Sequence, residues 1–277
     1  MPTLLQQARL ALGELARRPA KSLGQHFLID PAVIDRMIVA AQIGPDDVIL
    51  EIGPGLGALS ERLAERAARL YLVEIDTGLA DRLRERFAGN DRVQVITADF
   101  LSLDLAVTFP EPVIHVVASL PYNVATPILF RLLEHRQKFL EATVMIQKEV
   151  AERLTAAPGT KAYGVPSVLT QLYATVTTVC TVHPRSFFPA PKVESQIVRL
   201  VFQDTPRVAV QNEQIFRRVV KAAFAQRRKT LRNALRAAGY RDLDVIGAQT
   251  GIDLQRRGET LSLDEFAVLT NAFAGHG

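Results

Sequence analysis

A single cysteine, Cys180, stands among 277 residues, so no internal disulfide can form, and the five histidines are too scattered to build a metal site with it. Its place in an apolar, threonine-rich stretch points to packing. No apolar run is long enough to cross a bilayer unbroken, since the best candidate, residues 113–130, is interrupted by Pro121 and Pro127. The first eighteen residues lack a signal core: Glu14 falls inside an amphipathic pattern, which argues for a cytoplasmic protein. Internal repeats and low-complexity tracts are missing too, which excludes a repeat array. The charge excess is small, +4 with a pI near 9.4, so the distribution of basic residues says more than their number.

The chain is 48% hydrophobic, enough for a sizeable core, and its length fits one large domain plus a small one. The pattern predicts a helix over 4–16, a loop to Leu28, and a helix capped by Asp30 with Pro31 at its first position. Strands are expected near 48–52, 69–74, 93–97, 113–118 and 140–146, alternating with helices as a doubly wound sheet requires. Two more, near 174–182 and 195–203, read as a closing pair. Residues 203–206 look like a hinge into a helical segment over 212–273, with turns at Gly239 and Gly251, which divides the chain into 1–206 and 207–277.

Four residues carry the most chemistry. Ser119, Leu120, Pro121 and Tyr122 end a buried apolar strand by placing a hydroxyl and a carbonyl beside an aromatic face. An exocyclic amine on a nucleobase is a weak nucleophile because its lone pair is delocalised; acceptors drawing on its N–H bonds favour the pyramidal form. Pro121 holds Leu120 extended and aims its carbonyl, while Tyr122 offers a ring for a flipped base. An ordinary strand-ending turn is the competing reading. Upstream, the strand at 48–52 runs into GPGLG at 53–57 and then an amphipathic helix over about 58–67. A loop of this kind lets a ligand approach the backbone. Gly53, Gly55 and Ala58 also satisfy a dinucleotide pattern, although Pro54 removes a donor that a pyrophosphate would want. Glu74, about twenty residues on, is placed to accept ribose hydroxyls. Asp99 and Phe100 end the next strand, where a carboxylate can accept from an adenine amino group and a ring can pack on the base; a turn cap and core packing are the alternatives.

Seven motifs in order, KSLGQHFL at 21–28, EIGPGLG at 51–57, EID at 74–76, Asp99, SLPY at 119–122, FFPAPKV at 187–193 and AQRRKTL at 225–231, resemble the small-subunit ribosomal RNA adenine dimethyltransferases of the KsgA type over nearly the whole chain. The resemblance implies a Rossmann-like class I methyltransferase sheet of seven strands, the last antiparallel, with a small C-terminal helical domain. It implies S-adenosylmethionine as cofactor and two methyl groups placed on N6 of each of two adjacent adenosines in a hairpin loop of that RNA. Gln25, His26 and Leu28 are then expected at the methionine end of the cofactor, Gly53 and Gly55 along its middle, Glu74 and Ile75 at the ribose, Asp99 and Phe100 at the adenine, and Ser119 at the transferred methyl.

Two departures stand out: His26 where the family usually has Asn, and Ser119 where its motif reads Asn-Leu-Pro-Tyr. The hydroxyl keeps an acceptor, but its hydrogen bond depends on where the proton points. Related amino-methylating enzymes acting on DNA include some with Ser here, so activity, slowed by the weaker bond, is expected. Phe187 and Phe188 are candidates to sandwich the target base against Tyr122, with buried packing the alternative for each. Arg217, Arg218, Lys221, Arg227, Arg228, Lys229, Arg232 and Arg236 form a candidate track for RNA phosphates, a solvated helix face being the alternative. Arg17, Arg18 and Lys21 add a second contact. The expected partner is small-subunit ribosomal RNA within a pre-ribosomal subunit, bound by a monomer. Competing functions are a large-subunit ribosomal RNA methyltransferase, a non-enzymatic RNA-binding assembly factor and, more distantly, a nicotinamide dehydrogenase, for which nothing after Asp99 supplies hydride chemistry.

Overall fold

The alternating strand and helix patterns fold as a doubly wound sheet. A computed structural model describes residues 2–14 and 24–275. Strands β2 (Val48–Ile52), β3 (Arg69–Glu74), β4 (Val93–Thr97), β5 (Ile114–Ser119), β6 (Phe139–Gln147), β7 (Ala174–Val182) and β9 (Ser195–Phe202) lie within a residue or so of their expected bounds. Their order across the sheet is β4-β3-β2-β5-β6-β9-β7. Parallel pairing joins β4 through β6, whereas β9 runs antiparallel to β6, with Ser195 opposite Gln147. A further antiparallel pair, β1 (Phe27–Leu28) with β8 (Phe187–Phe188), was not legible as strand because each segment is only two residues long.

Local chemistry explains the connecting helices. Asp30 accepts from the Ala32 amide at the start of α2 (Pro31–Ala41), and Pro31 occupies a position whose N–H has no helical partner. Val33, Ile34, Met37, Ile38 and Ala41 recur at helical spacing and bury one stripe of α2 in the core. The next helix, α3 (Ala58–Ala64), is three residues shorter than its pattern because Arg66 N closes a tighter turn on Leu63 O. Asp76 caps α4 (Thr77–Arg86) through the Gly78 and Leu79 amides. The N-terminal helix α1 spans Leu4–Glu14; the remainder of its expected span, and Arg17, Arg18 and Lys21, lie outside the described residues. Cys180 is half-buried on β7, packed against the core and touched by the Arg36 guanidinium, so its packing role is partial.

Two compact units result: Met1–Ala151 with Val176–Phe202, and Glu152–Thr175 with Gln203–Gly277. One break between the units falls after Phe202. Residues 152–175, however, cluster with the helical unit and not with the sheet. Their helix α8 (Val165–Tyr173) buries Val168, Leu169, Leu172 and Tyr173 and packs on α9 (Glu213–Ala225) and α12 (Leu263–Ala274), a tertiary preference that an apolar pattern cannot disclose. The Tyr163 hydroxyl donates to the Leu261 carbonyl at 3.0 Å, fastening the loop before α8 to the same unit.

One charged cluster lies within the sheet. Arg199 on β9 donates from Nε to Glu141 on β6 at 3.0 Å, and His115 on β5 faces the same carboxylate at 3.4 Å, an ion-pair distance outside hydrogen-bond alignment, with Asp47 at 3.7 Å on its other nitrogen. The Glu141 carboxylate raises the His115 imidazolium against the opposing effect of burial. Burial alone would raise Glu141, yet His115 and Arg199 together hold it below the usual carboxylate range. The stabilisation from His115 is therefore complete below its unfolded value and lost as pH rises through its elevated folded value; that from Glu141 is lost as pH falls through its depressed one. Glu141→Gln is expected to lower Tm most near pH 6, with a smaller loss at pH 9, measured by thermal unfolding across pH.

Candidate active site

β2 has β3 on one side and β5 on the other, so the chain leaves the carboxyl ends of β2 and β5 in different directions and opens a crevice between them. That crevice is a cleft within the sheet unit. Its floor is the glycine loop after β2. Gly53 and Gly55 have φ of 68° and 58°, a left-handed region costly for residues with a Cβ. Space is tight as well: a Cβ on Gly53 would come within 3.2 Å of the Pro121 ring, and one on Gly55 within 3.0 Å of Phe27, so each neighbour would have to shift. The loop is thus pressed between the two segments that carry the other predicted residues.

Glu74, at the end of β3, is buried and accepts from the Gly55 and Asp76 amides, each at 3.0 Å. Burial pushes its carboxyl up from the ordinary value and these amide bonds oppose the shift. Each oxygen retains a lone pair for a ligand hydroxyl. Ile75 beside it is half exposed at the cleft wall. Asp99 is exposed there and accepts from Leu101 N at 2.9 Å through Oδ1, so it caps a short 3-10 turn and still offers Oδ2. Phe100 is buried and lines the same wall, with core packing as its main role.

Ser119, Leu120, Pro121 and Tyr122 form the opposite wall, joined by Gln25, His26 and Leu28 from the segment before α2. Leu120 N bonds Met145 O at 3.0 Å, which ties the turn to β6. The His26 ring lies 5.4 Å from that of Tyr122 at 31°, and its Nδ1 donates to the Pro189 carbonyl at 2.7 Å. Phe187 meets Tyr122 edge-on, its centroid 6.4 Å away. The expected sandwich is not formed: Phe187 is buried in the core and Phe188 sits opposite Phe27 with the Arg9 guanidinium over its ring, so neither lines the cleft. Packing, the alternative reading, describes both.

A buried acid of the cleft was missed. Glu51 on β2 is only 2% exposed, accepts from the Ser60 hydroxyl at 2.6 Å and lies close enough to Glu74 for repulsion. Burial, less the Ser60 bond, pushes its carboxyl up to about 8. A glutamate inside the apolar run VILEI was the available signal, since such residues are rarely buried without a task.

Residues 17–274 match the family described as "Ribosomal RNA adenine dimethylase". The chain belongs to the ribosomal RNA adenine dimethylase family. It is 48% identical over 267 residues to "Ribosomal RNA small subunit methyltransferase A" of Geobacter metallireducens, covering 94% of this chain and 97% of that protein. Its likeness to the protein of that name from Geobacter sulfurreducens is 49% over 270 residues, with the same coverage. Among solved structures, a dimethyladenosine transferase from Plasmodium falciparum superposes with a TM-score of 0.74 at 27% identity, covering 90% of this chain and 98% of that one. The 23S rRNA methyltransferase ErmE gives 0.69 at 28%, covering 90% and 99%.

The cleft fits the S-adenosylmethionine that the dimethylase family uses. Its glycine floor admits a ligand to the backbone, Glu74 and Asp99 offer two acceptors on the lining, and apolar Ile75 and Phe100 line the same cleft. The basic residues belong to the helical unit, and they are not uniform. Arg218, Lys221, Arg228, Lys229 and Arg236 are exposed. Arg227, also exposed, pairs with Glu259 at 2.8 Å and donates to the Lys161 and Tyr163 carbonyls, and half-buried Arg232 pairs with Asp244 at 2.7 Å, so both also make contacts within the unit. Arg217, half-buried on α9, also has a partner within the protein.

Gly55→Ala is expected to weaken cofactor binding about tenfold or more, from left-handed strain of ~1–2 kcal/mol plus the Phe27 contact, measured by calorimetry on protein whose circular dichroism is unchanged. Glu51 is protonated in both states below its ordinary value of 4.5; between 4.5 and about 8 only the unfolded chain ionises, so its contribution to stability falls as pH rises. Cofactor-free Glu51→Gln should therefore gain Tm relative to the parent between pH 5 and 8. A constant difference across that range rejects the assignment.

Proposed function

We propose that this protein transfers methyl groups from S-adenosylmethionine to the exocyclic N6 of two adjacent adenosines in a hairpin loop of small-subunit ribosomal RNA, giving N6,N6-dimethyladenosine during ribosome biogenesis. The observation that carries this reading is that the turn at 119–122 and the glycine loop share one cleft, with Pro121 against Gly53. A donor lying over the glycine loop then faces an amine held at Ser119. The large-subunit and non-enzymatic alternatives are not favoured, given relatives 46–49% identical that carry the small-subunit name.

Bound there, S-adenosylmethionine supplies an electrophilic methyl group on a sulfonium. The protein contributes position and exclusion of water. The Ser119 hydroxyl and Leu120 carbonyl accept the two N–H bonds of the target amine and turn its lone pair toward the donor; Tyr122 supports the ring. The amine becomes acidic only once methylated, so no strong general base is needed and its proton leaves through the Ser119 hydroxyl or water. Glu74 holds the cofactor ribose, Asp99 its adenine amino group, and Gln25, His26 and Leu28 surround its methionine end. Arg218, Lys221, Arg228, Lys229 and Arg236 of the helical unit contact RNA phosphates. A monomer working in the cytoplasm on a pre-ribosomal subunit completes the reading; no helix among the described residues is long and apolar enough to cross a membrane.

Methyl transfer from labelled cofactor to small subunits lacking the modification, followed by nucleoside analysis, tests the assignment; label absent from adenosine, or found only in large-subunit RNA, rejects it. Ser119→Asn should speed single-turnover transfer by about ten- to a hundredfold, the worth of one better hydrogen bond in the transition state. Lys229→Glu should weaken binding to the particle and leave cofactor affinity unchanged.

A further inference from the structure

Tyr122 is held by more than its turn. Its hydroxyl shares a hydrogen bond with Oγ of Ser195, a residue with no exposed surface at the first position of β9. The register explains how two residues 73 apart in sequence meet. Ser119 lies opposite Met145, Met145 opposite Ile197, and Gln147 opposite Ser195. Because β9 is antiparallel, its beginning reaches the edge where the parallel strands end, and Ser195 stands two residues, about 7 Å, beyond the row of Ser119. Tyr122, three residues past Ser119, turns back to meet it. His26 tilts over the same ring and is itself bonded to Pro189, while Phe187 adds an edge. The hydroxyl bond is the one directional restraint among these contacts.

We propose that Ser195 is a positioning residue for methyl transfer: its buried hydroxyl fixes the plane of the Tyr122 ring at the base-binding wall of the cleft. The ring plane matters most for the second methyl. Before the first transfer the amine has two N–H bonds for the Ser119 and Leu120 acceptors; afterwards it has one, so the orientation of the monomethylated base rests more heavily on the aromatic surface. Releasing the phenol therefore slows the second step more than the first, and the monomethylated product accumulates. This inference rests on the dimethylation reading above.

The test uses the full chain with Ser195→Ala, Tyr122→Phe and the double substitution, each keeping the backbone and the ring. Measured are single-turnover transfer to small subunits lacking the modification, cofactor affinity by calorimetry, and the ratio of monomethyl to dimethyl adenosine at equal conversion. Either single substitution is expected to lower the rate of the second transfer about tenfold, the scale of one hydrogen bond, with cofactor affinity unchanged and monomethyladenosine enriched. The double substitution should be no slower than the slower single one, because both delete the same bond. Multiplying losses in the double variant, cofactor affinity falling in step with rate, or a product ratio equal to the parent's overturns the proposal even where Tm drops. A parent protein that methylates no adenosine overturns the dimethylation reading and this inference together; an active parent with unaffected variants overturns this inference alone.

Discussion

The contact between Gly53 and Pro121 is the constraint on which the site depends. Two neighbouring parallel strands end side by side, and their loops leave so little room that a single Cβ at Gly53 would strike the proline ring. Closeness at this point places the glycine floor against the turn at 119–122 in one cleft. The backbone there is left-handed at Gly53 and Gly55, a conformation glycine adopts freely, and Glu74 accepts the Gly55 amide from the next strand. Loop conformation, a buried carboxylate and a shared cleft are thus one arrangement.

Electrostatics follows from the same closeness. Glu51 and Glu74 lie near the ends of adjacent strands with almost no exposed surface, and the Glu74 charge adds to the cost of burying Glu51. Ser60 and the loop amides return part of that cost. At the opposite wall a polar restraint is the Ser195 hydroxyl on Tyr122, delivered by β9, which runs antiparallel to β6.

Much of this was legible in the letters. Asp30 with Pro31 marked a helix start because capping is local chemistry; Glu74 and Asp99 were readable as strand-end acceptors because chain order in a doubly wound sheet brings successive strand ends to one edge. Seven collinear motifs carried the family resemblance, and the match over residues 17–274 places the chain in that family. Less legible were features made by contacts between distant segments. Phe187 and Phe188 read equally well as stackers or packers, and only tertiary contacts place Phe187 in the core and leave Phe188 partly buried opposite Phe27. Arg227 and Arg232 looked like their basic neighbours until Glu259 and Asp244 were found beside them. Residues 152–175 carried no mark of the unit they join.

The sequence by itself determined which residue types stand at each strand end, and seven motifs in order carried the family resemblance that implies the cofactor class, because each motif is a run of residues within one segment. Tertiary structure alone decided which groups are dry, which are paired and which meet across the sheet. Burial, ion pairing and register arise from segments far apart in the chain, and no local pattern encodes the partner.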